Sequence, residues 1–270
     1  MVRRLCQIAN ESDPAGIMNM QNHTQETNEL QTLTRHAEEA MARLFSVNKP
    51  FSDHLTKWED DALPDKYDHN CFEYSAQPTS DEFQKALAYQ RTKSVNFIKL
   101  EGDFALTETF GLEAGVTLTM VLQENHPTWK TNEELRFHTP AFTELESLEV
   151  KHYGPVYGED FCRRNIKRLY EKLDYTGAYL DDRLVGACYC FRAKPETSSR
   201  HLTCIDSILV DTAYRNLRIA TSLIAHIRQL YTEDLLFLHA DEDDTPMNMY
   251  AKMGFDVVDR LYEYTCSDLA

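Results

Sequence analysis

Basic residues are scarce in this 270-residue chain: 28 Lys and Arg stand against 44 Asp and Glu, a formal net charge of −16. Both halves are acidic, and no basic face is evident. Nucleic-acid binding needs clustered cations that displace condensed counterions, so no nucleic-acid partner is expected. No run approaches the roughly 18 apolar residues of a membrane span, and the first 20 residues hold Asn10, Glu11, Asp13 and Pro14 rather than the apolar stretch of a signal peptide. The expected protein is soluble and cytoplasmic, with no membrane partner. An acidic excess suits a cationic substrate, but many soluble proteins are simply acidic.

Paired cysteine motifs are also missing. The seven cysteines include no Cys-x-x-Cys pair and no flanking His at ligand spacing, so no metal site is expected. Cys188 and Cys190 lie two apart in an apolar run and share one strand face, where core packing is the simpler role. A reducing compartment follows. There is no low-complexity segment and no short-period repeat.

What is present is an alternation of helical and extended patterns, enough for one large domain or two smaller ones. In the first half, Leu30, Leu33, Ala37, Met41 and Leu44 recur at helical spacing over residues 25–45, after a loosely ordered start. Residues 46–69 read as an irregular, exposed connection. Strands are expected at 70–74, 95–100 and 115–122, and Thr79 with Glu82 forms a capping box opening a helix. Residues 126–134 read as a linker, dividing the chain into units of 1–134 and 135–270.

The second half reads as an extended stretch over 142–150, a helix over 159–173, a hairpin turning at Asp181-Asp182-Arg183, a strand over 201–210, a helix over 218–231, a doubly buried strand over 235–240, a short helix over 245–253 and a last strand over 255–265. A mixed α/β sheet flanked by helices is the expected fold class. Thr245, Pro246 and Gly254 suit the N-cap, the first turn and the position past the end of the short helix. Met249 and Met253 form a packing stripe, with Tyr250 aimed away from that core.

The segment Ile208-Leu209-Val210-Asp211-Thr212-Ala213-Tyr214-Arg215-Asn216-Leu217-Arg218-Ile219-Ala220 is a strand, a polar loop and a helix start. Amides at a helix N-terminus lack intrahelical partners and sit at the positive end of the dipole, so this is an anion site for a phosphate-bearing ligand. About thirty residues on stands Tyr250-Ala251-Lys252-Met253-Gly254-Phe255.

In this order, with the strand between them and the hairpin before them, these motifs resemble the GNAT superfamily of N-acetyltransferases. The resemblance covers residues 135–265. It implies a GNAT-like acyltransferase fold, with residues 1–134 as a degenerate copy or an accessory domain. The ligand implied is acetyl-CoA, as co-substrate. Its pyrophosphate would lie on the amides of Arg215, Asn216, Leu217, Arg218, Ile219, Ala220 and Thr221, and its pantetheine would pair like an added strand along Ile208, Leu209 and Val210. Tyr250 matches the family's proton donor for the leaving thiolate. Cys204, Asp206, Ile208 and Val210 share one face if the strand alternates regularly, which makes Asp206 the candidate base. Glu144, Glu146 and Glu149 are further carboxylates for the acceptor side, while His201 and His239 read as structural.

Two positions depart from the pattern. Arg218 stands where the family has Gly, and with helical backbone angles its N–H would survive. Asp243 replaces an Asn. The implied function is transfer of acetyl to a primary amine of a small molecule or a peptide N-terminus by direct attack. The alternative is a non-catalytic acyl-CoA-binding or regulatory module. A homodimer is left open.

Overall fold

The computed structural model describes residues 14–93 and 95–269, with side chains from Gln25 onward. In the first half, α1 (Pro14–Ala42) precedes β1 (Val47–Pro50), β2 (Leu55–Glu59), β3 (Phe72–Tyr74), α2 (Ser80–Thr92), β4 (Ile98–Gly102) and β5 (Glu113–Leu122). The second half holds β6 (Arg136–His138), α3 (Phe142–Tyr157), α4 (Glu159–Tyr170), β7 (Asp174–Leu180), β8 (Arg183–Ala193), β9 (Leu202–Val210), α5 (Ile219–Leu230), β10 (Leu235–Asp241), α6 (Thr245–Lys252) and β11 (Phe255–Cys266). All eleven strands join one mixed sheet in the order β1-β2-β3-β4-β11-β5-β10-β9-β8-β7-β6.

That order contains a repeat. In the first half β2 pairs antiparallel with β3, and α2 crosses over to β4, which is parallel to β3. In the second half β8 pairs antiparallel with β9, and α5 crosses over to β10, which is parallel to β9. Each half then gives its last strand to the other: β5 lies against β10, and β11 lies against β4. The first half is thus a second copy of the second half's core topology. The two are interlocked through a β5–β11 ladder running from Phe255↔Leu122 to Thr265↔Glu113. The sheet is continuous across the sequence boundary at 134/135, which falls between β5 and β6.

Three expectations are corrected. Residues 46–69 include a β-hairpin, because Leu55, Lys57 and Trp58 are buried against the first-half core rather than exposed. Residues 142–150 are helical rather than extended: Phe142, Leu145 and Leu148 recur every third residue, and Leu145 and Leu148 are buried against α4 and the sheet. The loosely ordered start is also shortened, since α1 begins at Pro14, and the rest of that reading lies outside the described residues.

Other local readings agree with the backbone. Thr79 accepts from the Glu82 N–H, and the Glu82 carboxylate accepts from the Thr79 N–H. The β7–β8 hairpin closes on Leu180↔Arg183 with Asp181 and Asp182 at φ 48° and 60°, the positive-φ pair that matches the twist of a two-residue hairpin. Charged pairs tie the halves together: the Arg168 guanidinium of α4 grips Asp60 at 2.6 and 3.0 Å, and Arg164 reaches Asp65 at 2.6 Å. Asp60, 1% exposed at its side chain, also meets His69 Nδ1 at 3.0 Å.

Candidate active site

Strands β9 and β10 run parallel only from Leu202↔Leu235 to Ile205↔Leu238. Beyond that they diverge, β10 staying with β5 and β9 with β8. Residues 206–210 therefore present one strand edge without a β10 partner. This is where an extended ligand can add main-chain pairing.

At the opening of this wedge, β9 carries a bulge. Leu209 opposes Ala187 and Asp206 opposes Tyr189, so Ser207 and Ile208 together face Cys188. Ser207 has φ 51°. The extra residue corrects the expected alternation. Cys204 packs beneath α1, whereas Ile208 and Val210 pack into the core containing α5 and Cys188, and Leu209 turns to the α3 and α4 side. A bulge inserts one residue and reverses the facing of everything after it. Asp206 and Ile208 thus belong to opposite faces.

The Asp206 carboxylate is firmly held. The Tyr189 hydroxyl donates to Oδ2 at 2.7 Å, and the Ser207 N–H donates to Oδ1 at 2.5 Å. Around it stand Tyr153, Tyr175 and Tyr189, with Glu149 of α3 nearby. Burial pushes the Glu149 carboxyl up to about 7, with Lys66 opposing weakly.

The fold brings Tyr250 to the same region, although differently from the sequence reading. Instead of aiming away from the core, Tyr250 is 7% exposed and packs in it with Met253, edge-on to Phe255. Burial, and then the negative charge of Asp206, push its hydroxyl up to about 12. It stays protonated at neutral pH. Helix α6 is capped by Asp244, which accepts from the Thr245 N–H at 2.6 Å, rather than by Thr245 itself. Gly254 has φ 92° and faces His126, where a Cβ would lie 2.8 Å from the His126 Cβ.

The polar loop ends at Arg218, which is left-handed (φ 59°, ψ 26°) rather than helical as expected. Its N–H nevertheless remains, and so do those of Ile219, Ala220 and Thr221. The first intrahelical bond runs only from Ser222 N–H to Arg218 C=O, at 2.9 Å. No side chain caps α5. The corresponding helix of the first half, α2, is closed by Thr79 and Glu82. A carboxylate thus occupies the N-terminus of α2, while that of α5 is open and flanked by exposed Arg215 and Arg218. Of these two helices, only α5 has an N-terminus open to an anionic ligand.

Beside α5 a groove of 460 Å³ is lined by Trp129, Lys130, Thr221, Asn248 and Lys252. The segment read as a linker forms one wall. Trp129 Nε1 donates to the Met253 C=O at 2.9 Å, the Asn132 N–H to Ser222 Oγ at 2.9 Å, and Asn132 Nδ2 to the Leu217 C=O at 3.2 Å.

Sequence reasoning gave no role to the wedge apex beneath α1. There His239 Nε2 lies 2.9 Å from Glu38 Oε1, and its Nδ1 lies 4.0 Å from Cys204 Sγ. Glu38 also accepts from Thr119 Oγ1 at 3.0 Å. Only the strand exchange and the helix of the other half bring these residues together. Cys188 and Cys190 are free, buried thiols, as expected. No group of His, Cys, Asp and Glu among the described residues is arranged to hold a metal ion. Among those residues no helix is long and apolar enough to cross a membrane.

No curated protein matches the chain. Among solved structures, a functionally unknown conserved protein from Staphylococcus epidermidis ATCC 12228 superposes with TM-score 0.67 at 14% identity, over 83% of this chain and 95% of that one. A GCN5-related N-acetyltransferase from Kribbella flavida gives 0.55 at 12% identity, over 87% and 95%. Another from Sphaerobacter thermophilus gives 0.51 at 12% identity, over 81% and 82%. At such identities the likeness is one of fold. Residues 138–255 match the acetyltransferase (GNAT) family model, a span that runs from β6 through the α5 loop to the start of β11. With its open helix N-terminus, diverging strands and bulge in place, that part of the chain is similar to the domains of GNAT-family acetyltransferases.

Proposed function

We propose that the protein transfers acetyl from acetyl-CoA to a primary amine of a small molecule or peptide N-terminus, by direct attack in the wedge between β9 and β10. The observation that carries this reading is the uncapped α5 N-terminus lying next to the free edge of β9. The pyrophosphate would rest on the amides of residues 215–221, with Arg218 as an added cation. The nucleotide end would occupy the groove at Lys130 and Lys252. The pantetheine would pair along residues 208–210.

This reading gives each group a role. An ammonium gives a proton to Asp206, directly or through water, and that proton passes to solvent. The neutral amine attacks the thioester carbonyl, forming the C–N bond, and an N–H on the bulged strand stabilises the oxyanion. Collapse breaks the C–S bond, and Tyr250 protonates the thiolate. The amine's second proton restores the Tyr250 hydroxyl. A phenol held near 12 is a weak acid but a fully protonated one, which suits donation late in the reaction.

Thermal-shift titration with acetyl-CoA tests the shared premise. Ligand at 100 times its Kd adds about 2.7 kcal/mol of stability. Absence of any shift at millimolar ligand would overturn the reading. Thiol release over an amine panel separates catalysis from mere binding: binding without amine-stimulated release would make this a non-catalytic acyl-CoA module.

A further inference from the structure

The tyrosine cluster beside Asp206 holds polar groups that nothing in the protein satisfies. Glu149 is 8% exposed, and among the described residues its carboxylate makes no hydrogen bond or ion pair. The hydroxyl of Tyr175, in a side chain 5% exposed, is buried with no partner. Both groups belong to one wall. Leu145 and Leu148 of α3, which flank Glu149 in sequence, pack in the same cluster as Tyr175 and Tyr189, with Tyr153 against them. The Tyr175 and Tyr189 rings meet edge to face at 5.5 Å. The charges of Glu149 and Asp206 both act on the hydroxyls of Tyr153 and Tyr175.

A largely buried carboxylate without a protein donor is costly, and such groups in native proteins call for an explanation. The unmet positions here are carboxylate lone pairs and one phenol oxygen. A ligand rich in N–H donors and positive charge fills them, whereas an anionic group would meet two carboxylates at once. Tyrosine faces add attraction for a cation within about 6 Å. Lys66 is the one cation whose charge reaches Glu149 among the described residues, and it forms no ion pair there. Asp206 is already committed to the reacting amine, whose charge must be lost before attack. Glu149 is therefore free to hold a charge that persists.

We infer that the acceptor carries a second positive charge remote from the amine that is acetylated, and that Glu149 and Tyr175 bind it. The acceptor class is thus an α,ω-diamine or longer polyamine rather than a monoamine or an amino acid. The inference deepens the acetyl-transfer reading and rests on it for the identity of the reacting end.

The test has a binding arm and a turnover arm, using the full chain with 1,4-diaminobutane, butylamine and 4-aminobutanoate. Calorimetry should give a Kd for the diamine at least tenfold below that of butylamine, with no binding of the amino acid. Turnover with acetyl-CoA should show the same order in KM. Glu149→Gln, matched in shape, should bring the diamine and butylamine values together, and Tyr175→Phe should remove about half of the difference on a logarithmic scale. Unchanged acetyl-CoA binding by each variant confirms its fold. Equal affinities for the two amines, or a preference that survives Glu149→Gln, overturns the inference even if both amines are acetylated. Selective diamine binding without turnover supports the cation site and overturns the acetyl-transfer reading.

Discussion

Tyr189 and Asp206 face each other across the β8–β9 ladder, and the hydroxyl of the first donates to the carboxylate of the second at 2.7 Å. The pair sits at the last residue before the bulge, where β9 leaves β10. Burial, and then the Asp206 charge, hold the Tyr189 hydroxyl far from ionisation, so it stays a donor. The contact fixes one carboxylate oxygen while the bulge N–H fixes the other.

If Asp206 is the base, Asp206→Asn lowers kcat/KM for amine acetylation by 10²–10⁴-fold at neutral pH, the usual range for a lost general base. Acetyl-CoA affinity should stay within about twofold. Tyr189→Phe, which only loosens the carboxylate, should cost about 1 kcal/mol of stability. It should lower kcat by roughly tenfold, with KM little changed. Steady-state kinetics and urea denaturation check both. An Asp206→Asn enzyme of normal activity would remove the residue from the mechanism.

Tyr250→Phe separates acid catalysis from packing. The ring contributes to the core, but its hydroxyl has no protein hydrogen bond among the described residues, so stability should change by less than about 0.5 kcal/mol. Thiol release should fall about 10²-fold, mostly in kcat. A leaving group of lower pKa than CoA should be less affected by the substitution.

Glu149 ties stability to pH. With its folded pKa near 7 and an unfolded value of about 4.3, the folded state binds more protons between those limits. Stability should therefore fall as pH rises from about 4.5 to 7, and level off above. Glu149→Gln should flatten this slope and stabilise the protein at pH 8 by up to about 3 kcal/mol. Chemical denaturation at pH 5 and pH 8 measures it, and equal differences at the two pH values would refute the assignment.

The clamp between Asp60 and Arg168 has the opposite sign. Burial works against the Asp60 carboxylate, but hydrogen bonds from His69 and Arg168 outweigh it and hold it down to about 2. Its contribution is present above the unfolded pKa and is lost as pH falls toward 2. Arg168→Met strands a buried charge and should cost about 3 kcal/mol at pH 7. The double change Asp60→Asn with Arg168→Met should recover much of that loss.

Arg218→Gly tests the position where the family pattern has glycine. Glycine removes about 1 kcal/mol of left-handed strain and adds a similar entropy to the unfolded chain, so stability should move by less than about 1 kcal/mol. If Arg218 neutralises phosphate charge, acetyl-CoA affinity falls several-fold at low salt, and the loss shrinks as salt rises. Tighter binding by the glycine variant would mean that the side chain crowds the site.

Much of the second half is legible because its signals are local. The Asp181-Asp182 turn, the α5 stripe and the Pro246–Gly254 frame all depend on neighbours within a few residues. Helix α3 is read as extended from the sequence although Phe142, Leu145 and Leu148 keep a helical spacing. The bulge at Ser207 was missed because an inserted residue leaves no mark in composition, yet it reverses the facing of Ile208 and Val210. The first half was harder still, since β1 is short and exposed and β2 is only five residues long, its burial coming from β3 and α2.

The sequence by itself determined the polar loop before α5, the Tyr250 helix and the order of strands that join them, since each follows from short-range backbone chemistry. Tertiary structure alone decided which parts meet. It placed β5 between β10 and β11, set Glu38 of α1 against His239, and put Glu149 among tyrosines with nothing to bond. The first two relations depend on contact between two distant halves and the third on α3 packing over β7 and β8, and no local pattern encodes which chain segment will complete another's sheet or core.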